Sequence, residues 1–362
     1  MSHLTKYLSA LILLLTLALG SLMAQEPVPD AELEAPHDKK VSLSLEARGD
    51  YQRIYLGSHT DEAGSGFKGN IANIVLSGTL SPKFSYLYRQ RLSSINLDRS
   101  FFESIDFLYL QYNPIEQLSV RLGKWIVFVG GWEFEPAPID VFQVGEFCYH
   151  MPAYQWGATV SYTLPNGQDN LHMQVIQSPY RKAYEERSGE PADMYAYNLV
   201  WTAHHDWFVP MWSVNFMEYA PRRFMNYISL GNRFQLTPRT FVDLDLMHRA
   251  PLDGDGKKLF SDYSIYGQLA YHPTEQTKLY LKGSYDHNTS GFHADYGVTD
   301  GTQITRLGGG VEYSPIPEVR LHAHADYAFG TNTNPQAVLH NQRTLINVGV
   351  TWRMKVLSLI HI

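Results

Sequence analysis

The stretch from Val41 to Gln52 reads VSLSLEARGDYQ and alternates apolar with polar residues almost without a break. Apolar side chains take most of its odd positions, and polar side chains take every even position. Because successive side chains of a β-strand point to opposite faces, this period of two predicts a strand with one apolar and one polar face. The same pattern returns at 319–329 and at 346–353. We therefore expect an all-β protein.

Turn signals divide the rest of the chain into a regular series of such strands. The tight turns lie at 81–83, 113–116, 165–167, 205–206, 237–239, 272–274 and 314–317. Longer connections lie near 57–67, 94–102, 129–152, 179–192, 220–224, 251–261, 288–301 and 330–341. Short turns at one end, long loops at the other and an even number of strands are typical of outer-membrane barrels. The sequence predicts a transmembrane antiparallel β-barrel of about sixteen strands over residues 41–357.

The two ends of the chain fall outside this pattern. Lys6, an apolar run over 8–19 and small residues up to Ala24 indicate a secretory signal peptide at 1–24. A retained membrane anchor is the alternative, but the apolar run is short for a spanning helix. Residues 25–40 read as a polar periplasmic leader, and residues 358–362 either complete the last strand or form a short tail. The expected location is the outer membrane of a Gram-negative cell, surrounded by lipid and lipopolysaccharide.

Composition and motifs exclude several classes of function. The formal net charge of −7 gives no basic face for nucleic acid. Cys148 is the single cysteine, so no disulfide can form within the chain. No serine lies in a nucleophile-elbow pattern, and we expect no catalytic residue and no cofactor. His322 and His324 share the polar face, but a hydrated wall is a better interpretation of this pair than a metal site.

The polar face of the strands carries more basic than acidic residues if it lines the lumen. The basic side chains expected to line the pore are Arg48, Arg89, Arg91, Arg121, Arg233, Arg306, Arg320 and Arg353. Rings of basic residues favour the passage of anions. Arg89, Arg91 and Arg121 are the first candidates, because their strands flank the longest loop. The alternative, that these charges pair across strands and only fill the barrel, stays open at this point.

The connection over 129–152 is the longest and the most apolar of the loops. A solvent-exposed loop would not normally carry so many aromatic residues. We predict that it folds into the lumen and narrows the pore, with Trp132, Glu133, Glu135 and Asp140 shaping the constriction. The acidic residues among these four would oppose anion passage. Packing of the loop against a neighbouring subunit is the alternative.

The stretch from Phe107 to Lys124, FLYLQYNPIEQLSVRLGK, resembles the phosphate-selective porin O and P family, in the version typical of Bacteroidetes. The resemblance implies a homotrimer of sixteen-stranded barrels, with the third long loop folded inward and basic residues along an anion path. By position, Arg121 matches the lumen-facing arginine of the motif. Lys124 is three residues further, so the alternation of side chains along a strand gives it outward parity, meaning that it points away from the lumen, unless the strand bends near Gly123. The chain departs from the family in its loop lysines, because Lys257 and Lys258 form its only loop pair.

These observations together predict a passive channel. We expect diffusion of small hydrophilic solutes, with a preference for phosphate-like anions as the finer prediction. The alternative is a non-conducting barrel that has a structural role or binds a partner. A measurement of conductance distinguishes the two.

Overall fold

A single antiparallel sheet makes up most of the computed structural model, which describes residues 40–94, 101–252, 259–293 and 295–360. The predicted signal peptide, the leader up to residue 39, the lysine pair at 257–258 and the last two residues lie outside these ranges. The strands are β1 (Lys40–Leu56), β2 (His59–Thr60), β3 (Gly66–Ser81), β4 (Phe84–Arg91), β5 (Ile105–Ile115), β6 (Leu118–Ile126), β7 (Tyr154–Thr163), β8 (Asp169–Gln177), β9 (Tyr195–Ala203), β10 (Phe208–Ala220), β11 (Arg223–Thr237), β12 (Thr240–Pro251), β13 (Asp262–Thr274), β14 (Thr277–Asn288), β15 (Thr302–Ile316), β16 (Val319–Thr331) and β17 (Arg343–Ile360).

The sheet closes on itself through its first and last long strands. β1 pairs with β3 on one side and with β17 on the other, in a register that runs from Lys40 opposite Ile360 to Leu56 opposite Arg343. The two-residue β2 is an appendage of the first loop, so sixteen long strands form the wall. Closure leaves no free sheet edge. The predicted sixteen-stranded barrel is confirmed, and its last strand continues to Ile360.

Three of the tight turns begin later in the chain than the sequence suggested, because the proline assigned to each of them belongs to a strand. Pro114, Pro273 and Pro315 lie within β5, β13 and β15. At each of them the pairing register shifts, as it does at a β-bulge. A bulge tolerates proline, since a residue there need not donate a ladder hydrogen bond. Only the two residues after each strand form the turn, for example 116–117.

The two faces of the wall differ as the alternation predicts. On β14, the outward Leu281 is 62% exposed, whereas the inward Asp286 is 1% exposed. Leu122, Leu199 and Val348 are also exposed on the outer side. The outer surface is therefore an apolar belt that suits lipid, and polar side chains fill much of the interior. Within the described ranges, no helix has the length and apolar character needed to cross a membrane.

Candidate pore and constriction loop

The loop between β6 and β7, residues 127–153, lies inside the barrel; we call it the inner loop. Its backbone N–H groups at Glu133 and Glu146 donate to Asp245 on β12 (2.8 Å) and Asp286 on β14 (2.7 Å). The Gln143 amide donates to the carbonyl oxygen of Ala325 on β16 (3.0 Å). These contacts reach strands on widely separated parts of the wall. The inner loop therefore crosses the lumen.

Two glycines let the chain turn into the lumen. Gly130 and Gly131 have φ angles of 71° and 91°, in the region that glycine adopts most easily. A Cβ atom on Gly131 would lie 2.7 Å from the Met247 side chain. Further along the inner loop, Glu146–His150 forms a short helix whose first N–H groups are satisfied by the Asp286 carboxylate. Asp286 thus anchors the loop at a point where backbone donors would otherwise be buried without partners.

On the side of the tight turns, the inner loop is held by ion pairs. The Asp140 carboxylate accepts hydrogen bonds from Arg320 and from Arg353, the latter at 2.6 Å. Arg48 donates to the carbonyl oxygen of Val141 (2.6 Å). Burial alone would raise the pKa of Asp140, but the two guanidinium groups outweigh it and hold this pKa below its usual value. We call Asp140, Arg320 and Arg353 the ionic latch.

On the side of the long loops, the inner loop is held by an apolar core. Phe147 stacks on Tyr227 of β11 with ring centroids 5.0 Å apart, and Met217 and Met225 are fully buried beside it. The core consists of Val127, Val129, Phe147, Met151, Ile176, Tyr180, Ala196, Met217, Tyr219, Met225, Tyr227, Met247, Phe292 and Val298. Lumen-facing positions of β8 to β12 are thus apolar near the long loops. The core fills this part of the lumen.

The lumen contains a cavity of about 1350 Å³ on the side of the tight turns, which we call the vestibule. Its rim, at the tight turns, includes Arg239, Glu275 and Glu318, and its deep end includes Trp132 and Phe142 of the inner loop. A smaller cavity of about 360 Å³ lies among the long loops. The two cavities share no lining residue, and the apolar core lies between them.

The structure divides the predicted pore residues into two groups. The vestibule is lined by Arg89, Arg233, Arg320 and Arg353 and by Trp132, Glu135 and Asp140 of the inner loop. Arg48, Arg91, Arg121, Arg306 and Glu133 are outside its lining. Glu133 is buried behind the loop, where it accepts a hydrogen bond from the Gly145 N–H (2.7 Å). Burial raises the pKa of Glu133, and the nearby cations Lys282 and Arg306 oppose that rise.

Most of the vestibule arginines are neutralised by a carboxylate. Arg233 forms a two-point ion pair with Asp243 (2.7 Å), and its guanidinium lies 3.8 Å from the centroid of the Trp132 ring. Arg89 pairs with Asp106 (3.2 Å) and covers the Phe107 ring at 3.9 Å. Arg320 pairs with Glu312 and Arg353 with Glu46. Outside the vestibule lining, further pairs join Arg48 to Asp50, Arg91 to Asp106 and Arg343 to Asp326. Paired and stacked guanidinium groups add order to the wall and little net field.

Three of the basic side chains on the lumen face of the strands form no ion pair with any described residue. Arg121 donates to the neutral Gln111 (2.7 Å) and covers the Trp125 ring at 4.0 Å. Arg306 is 3% exposed, and its Nε and Nη2 atoms have no hydrogen-bond partner among the described residues. Lys282 reaches the vestibule, with its ammonium 5.0 Å from the Tyr266 ring centroid. Parity placed all three on the wall, but only side-chain geometry separates them from the paired arginines.

The motif around Arg121 and Lys124 has two different environments. Gly123 between them has a φ of 134°, and a Cβ there would lie 2.1 Å from the Leu108 carbonyl oxygen. Lys124 is buried and donates to the carbonyl oxygen of Glu103 in the second loop (3.3 Å). Its ladder partners Leu108 and Trp156 are exposed on the outer side. Lys124 therefore keeps its outward parity and does not join Arg121 in the lumen.

The two histidines of the polar face contact the inner loop. The Phe142 ring lies 4.3 Å from the His322 ring and 4.8 Å from the His324 ring, between centroids. The Nε2 atom of His322 also bonds Asp50 (2.8 Å). In the part of the chain that the structure describes, no group of three or more His, Cys, Asp or Glu side chains is arranged to hold a metal ion. This pair thus helps to seat the inner loop.

Comparisons with known proteins agree with this architecture. The family model described as phosphate-selective porin O and P matches residues 41–207. No curated protein sequence matches the chain. An anion-selective porin from Comamonas acidovorans has a similar structure, with a TM-score of 0.60 at 12% identity over 87% of this chain and 100% of that one.

Two further solved structures share the fold at similar distance. The outer membrane channel DcaP of Acinetobacter baumannii has a TM-score of 0.57 at 10% identity, over 87% of this chain and 98% of that one. OmpT of Vibrio cholerae, in its trimer form, has a TM-score of 0.57 at 11% identity, over 87% and 99%. At such identities the likeness establishes the fold alone. The chain is an outer-membrane barrel of the porin fold, and over residues 41–207 its resemblance to the phosphate-selective porin O and P family is confirmed.

Proposed function

We propose that this protein is a passive channel for small hydrophilic solutes and that the inner loop controls its opening. The observation that carries the proposal is the polar vestibule of about 1350 Å³, which ends at a loop inserted into the lumen. A closed apolar exterior around a polar interior is the arrangement that an aqueous pore requires. No chemical step is involved, and we expect no catalytic activity.

The finer part of the proposal is a preference for anions. Lys282 supports it, because it lines the vestibule and forms no ion pair with a described carboxylate. Arg306 and Arg121, also without such a pair, lie outside the lining and add to the positive field from within the wall. The similar porin from Comamonas acidovorans is anion-selective. The lining of the vestibule also contains many carboxylates, among them Glu135, Asp140 and Glu312. We therefore propose a weak preference rather than a phosphate-specific site.

A second candidate function is a non-conducting barrel. It is favoured by one observation, the apolar core that separates the vestibule from the long loops. A barrel that stays closed in this way would have a structural role or bind a partner. We also propose that the protein is a homotrimer, as the trimer form of Vibrio cholerae OmpT is.

Single-channel recording in a planar bilayer under a KCl gradient tests these proposals. Discrete steps with a reversal potential on the chloride side support a channel with an anion preference. Steps with a reversal potential on the potassium side support the channel but contradict the anion preference assigned to Lys282, Arg306 and Arg121. Silence from folded protein, checked by its heat-dependent gel mobility, supports the closed barrel instead.

A further inference from the structure

The loop after β14 folds back into the mouth of the barrel, on the side of the long loops. It comprises residues 289–301, of which the structure describes all but 294, and we call it the lid. Its side chains Phe292 and Val298 are buried in the apolar core. The lid begins and ends at one place, because the Gly301 N–H donates to a carbonyl oxygen at the end of β14 (2.8 Å). Compact loops whose ends lie together are often functional.

The lid covers the inner loop. Both ends of the inner loop join strands on the side of the long loops, so it can leave the lumen only in that direction. The Phe147 ring stacks on Tyr227 of the wall, and Gly297 of the lid lies against the same ring. A Cβ atom on Gly297 would lie 3.2 Å from a ring carbon of Phe147. Because this packing leaves no free space, Phe147 cannot move outward until the lid has moved.

A buried ion pair holds the lid to the wall. The Asp295 carboxylate of the lid accepts a hydrogen bond from Nε of Arg249 on β12 (2.6 Å), and both side chains are fully buried. The other two nitrogens of Arg249 donate to the Ser264 hydroxyl (2.6 Å) and to the His287 carbonyl oxygen (3.1 Å). The second oxygen of Asp295 accepts two backbone N–H groups of the lid (3.1 Å each). All three guanidinium nitrogens thus have a partner while the lid is seated.

The burial of this ion pair gives the lid two stable positions. Breaking a buried pair is strongly destabilising, because it leaves an uncompensated charge away from water. A partly displaced lid would separate Arg249 from Asp295 before water could replace the lost contact. Intermediate positions are therefore the least stable. An element of this kind is either seated or lifted, as the moving parts of protein switches are.

The same arginine connects the lid to the inner loop. The Ser264 hydroxyl, which accepts from Arg249, donates to the Asp286 carboxylate on β14. Asp286 in turn accepts the N–H groups of the first two residues of the short helix in the inner loop (2.7 and 3.3 Å). A continuous series of hydrogen bonds therefore runs from Asp295 of the lid to the inner loop.

We propose that the lid is a second closing element of the channel and that the Arg249–Asp295 pair is its catch. The lid lifts first, and only then can the inner loop leave the lumen. The ionic latch at Asp140 acts in the second step, because it holds the inner loop and has no contact with the lid. The inference rests on the proposed function, since it describes how the opening assigned to the inner loop is controlled.

Two cysteine reporters test this order with the full chain in detergent. Cys148 reports release of the inner loop, and Val298→Cys in a Cys148→Ser background reports lifting of the lid, because Val298 is fully buried. Asp295→Asn leaves Arg249 buried without its paired carboxylate. Maleimide labelling of both reporters should then rise by the same factor, roughly tenfold or more. Asp140→Asn affects only the second step and should raise the labelling of Cys148 alone.

Matched variants separate the catch from general damage to the fold. Arg249→Met combined with Asp295→Leu should label both reporters near the wild-type rate, since well-packed apolar residues can replace a buried ion pair. Glu190→Gln, at an exposed position of a neighbouring long loop, should also label as the wild type does. Heat-dependent gel mobility checks that each variant is folded.

A lock on the lid gives a second measurement that leaves the core intact. Thr299 of the lid and Thr333 of the next long loop have hydroxyl oxygens 2.7 Å apart, so Thr299→Cys with Thr333→Cys can form a disulfide. Its oxidation should slow the labelling of Cys148 severalfold, and reduction should restore the rate, as followed peptide by peptide in a mass spectrometer.

Three results would overturn the proposal. The first is a locked protein whose Cys148 labels at the unlocked rate. The second is folded Asp295→Asn protein in which the labelling of either reporter is unchanged. The third is an Asp140→Asn variant in which both reporters label faster, because lid and inner loop would then leave together. None of these measurements uses conductance, so the bilayer recording decides the channel proposal separately.

Discussion

The two halves of the lumen are built on opposite principles. Near the tight turns, charged side chains pair across strands around an open vestibule, with Asp140 held between Arg320 and Arg353. Near the long loops, β8 to β12 present methionine, tyrosine and alanine around Phe147, and the apolar core has one fully buried ion pair, Arg249 with Asp295, beside it. The comparison shows that the outer half is the more tightly packed part of the lumen along β8 to β12. We therefore expect the vestibule arginines to influence which ions enter and the apolar core to limit how many pass.

The largest effect should come from removing the closure itself. Replacement of residues 132–149 by a short Gly-Ser linker removes the Asp140 carboxylate of the latch and Phe147, one of the loop's four core residues. We expect single-channel conductance to rise severalfold, because the vestibule then continues to the long loops. The same replacement of residues 58–64 in the first loop should leave conductance unchanged. Equal conductance in the two variants would contradict a closure by the inner loop.

A smaller change within the core should loosen the loop without removing it. Phe147→Ala leaves a cavity beside Tyr227 and is expected to cost about 3–5 kcal/mol of loop docking. Cys148, next in sequence and the only cysteine, reports the change, because burial raises the pKa of its thiol and slows its reaction with maleimide. The labelling rate should rise roughly tenfold or more. Phe329→Ala, on the outer wall, should label at the wild-type rate.

The charged half responds more weakly. Asp140→Asn removes one negative charge from the vestibule and leaves Arg353 with only a distant partner, Glu46 at 3.6 Å. The chloride-to-potassium permeability ratio should rise roughly two- to fivefold, a change of about 1 kcal/mol in a largely aqueous space. Glu62→Gln, at an exposed position of the first loop, is the matched control. A ratio that moves toward potassium would contradict the placement of Asp140 at the ion path.

The smallest effect concerns pH. A carboxyl whose pKa is lowered in the docked state stabilises docking fully above its ordinary pKa, and the stabilisation is lost as the pH falls through the lower docked value. Since the pKa of Asp140 is lowered by Arg320 and Arg353, the latch should hold from pH 8 to pH 5 and weaken only below about pH 4. The difference in Cys148 labelling between the wild type and Asp140→Asn, which isolates the latch from other titrating groups such as Glu133, should show no step between pH 5 and pH 8. Asp140→Asn should lack the acid step.

The fold could be predicted from the sequence because each strand carries its own period of two. The stretch over 41–52 already assigns its side chains to two faces, and seven turns set the number of strands. The candidate site could be predicted only in part. The alternation of side chains placed Arg233 and Arg306 on the lumen face, but it does not predict which side chains of other strands lie next to them. Arg233 has Asp243 and Trp132 beside it, whereas two nitrogens of Arg306 have no partner among the described residues. This difference depends on register and rotamers across distant strands.

The apolar core shows the other limit. Met217 and Met225 lie on opposite sides of a two-residue turn, where an alternating pattern suggests an ordinary strand end. Their burial depends on Phe147, which is about seventy residues earlier in the chain. Aromatic content marked the inner loop as unusual for a solvent-exposed segment. It could not indicate which part of the wall the loop would cover.

The seam between β1 and β17 has a consequence for how the protein is made. Its seventeen residue pairs join the two ends of the chain, from Lys40 opposite Ile360 to Leu56 opposite Arg343. Until the last strand has been exported, β1 and the growing end both present unpaired backbone groups that would template aggregation. Contacts between such distant segments also form slowly. We therefore expect the unfinished chain to need a factor that shields both edges, and a chain truncated before residue 343 to remain dependent on that factor.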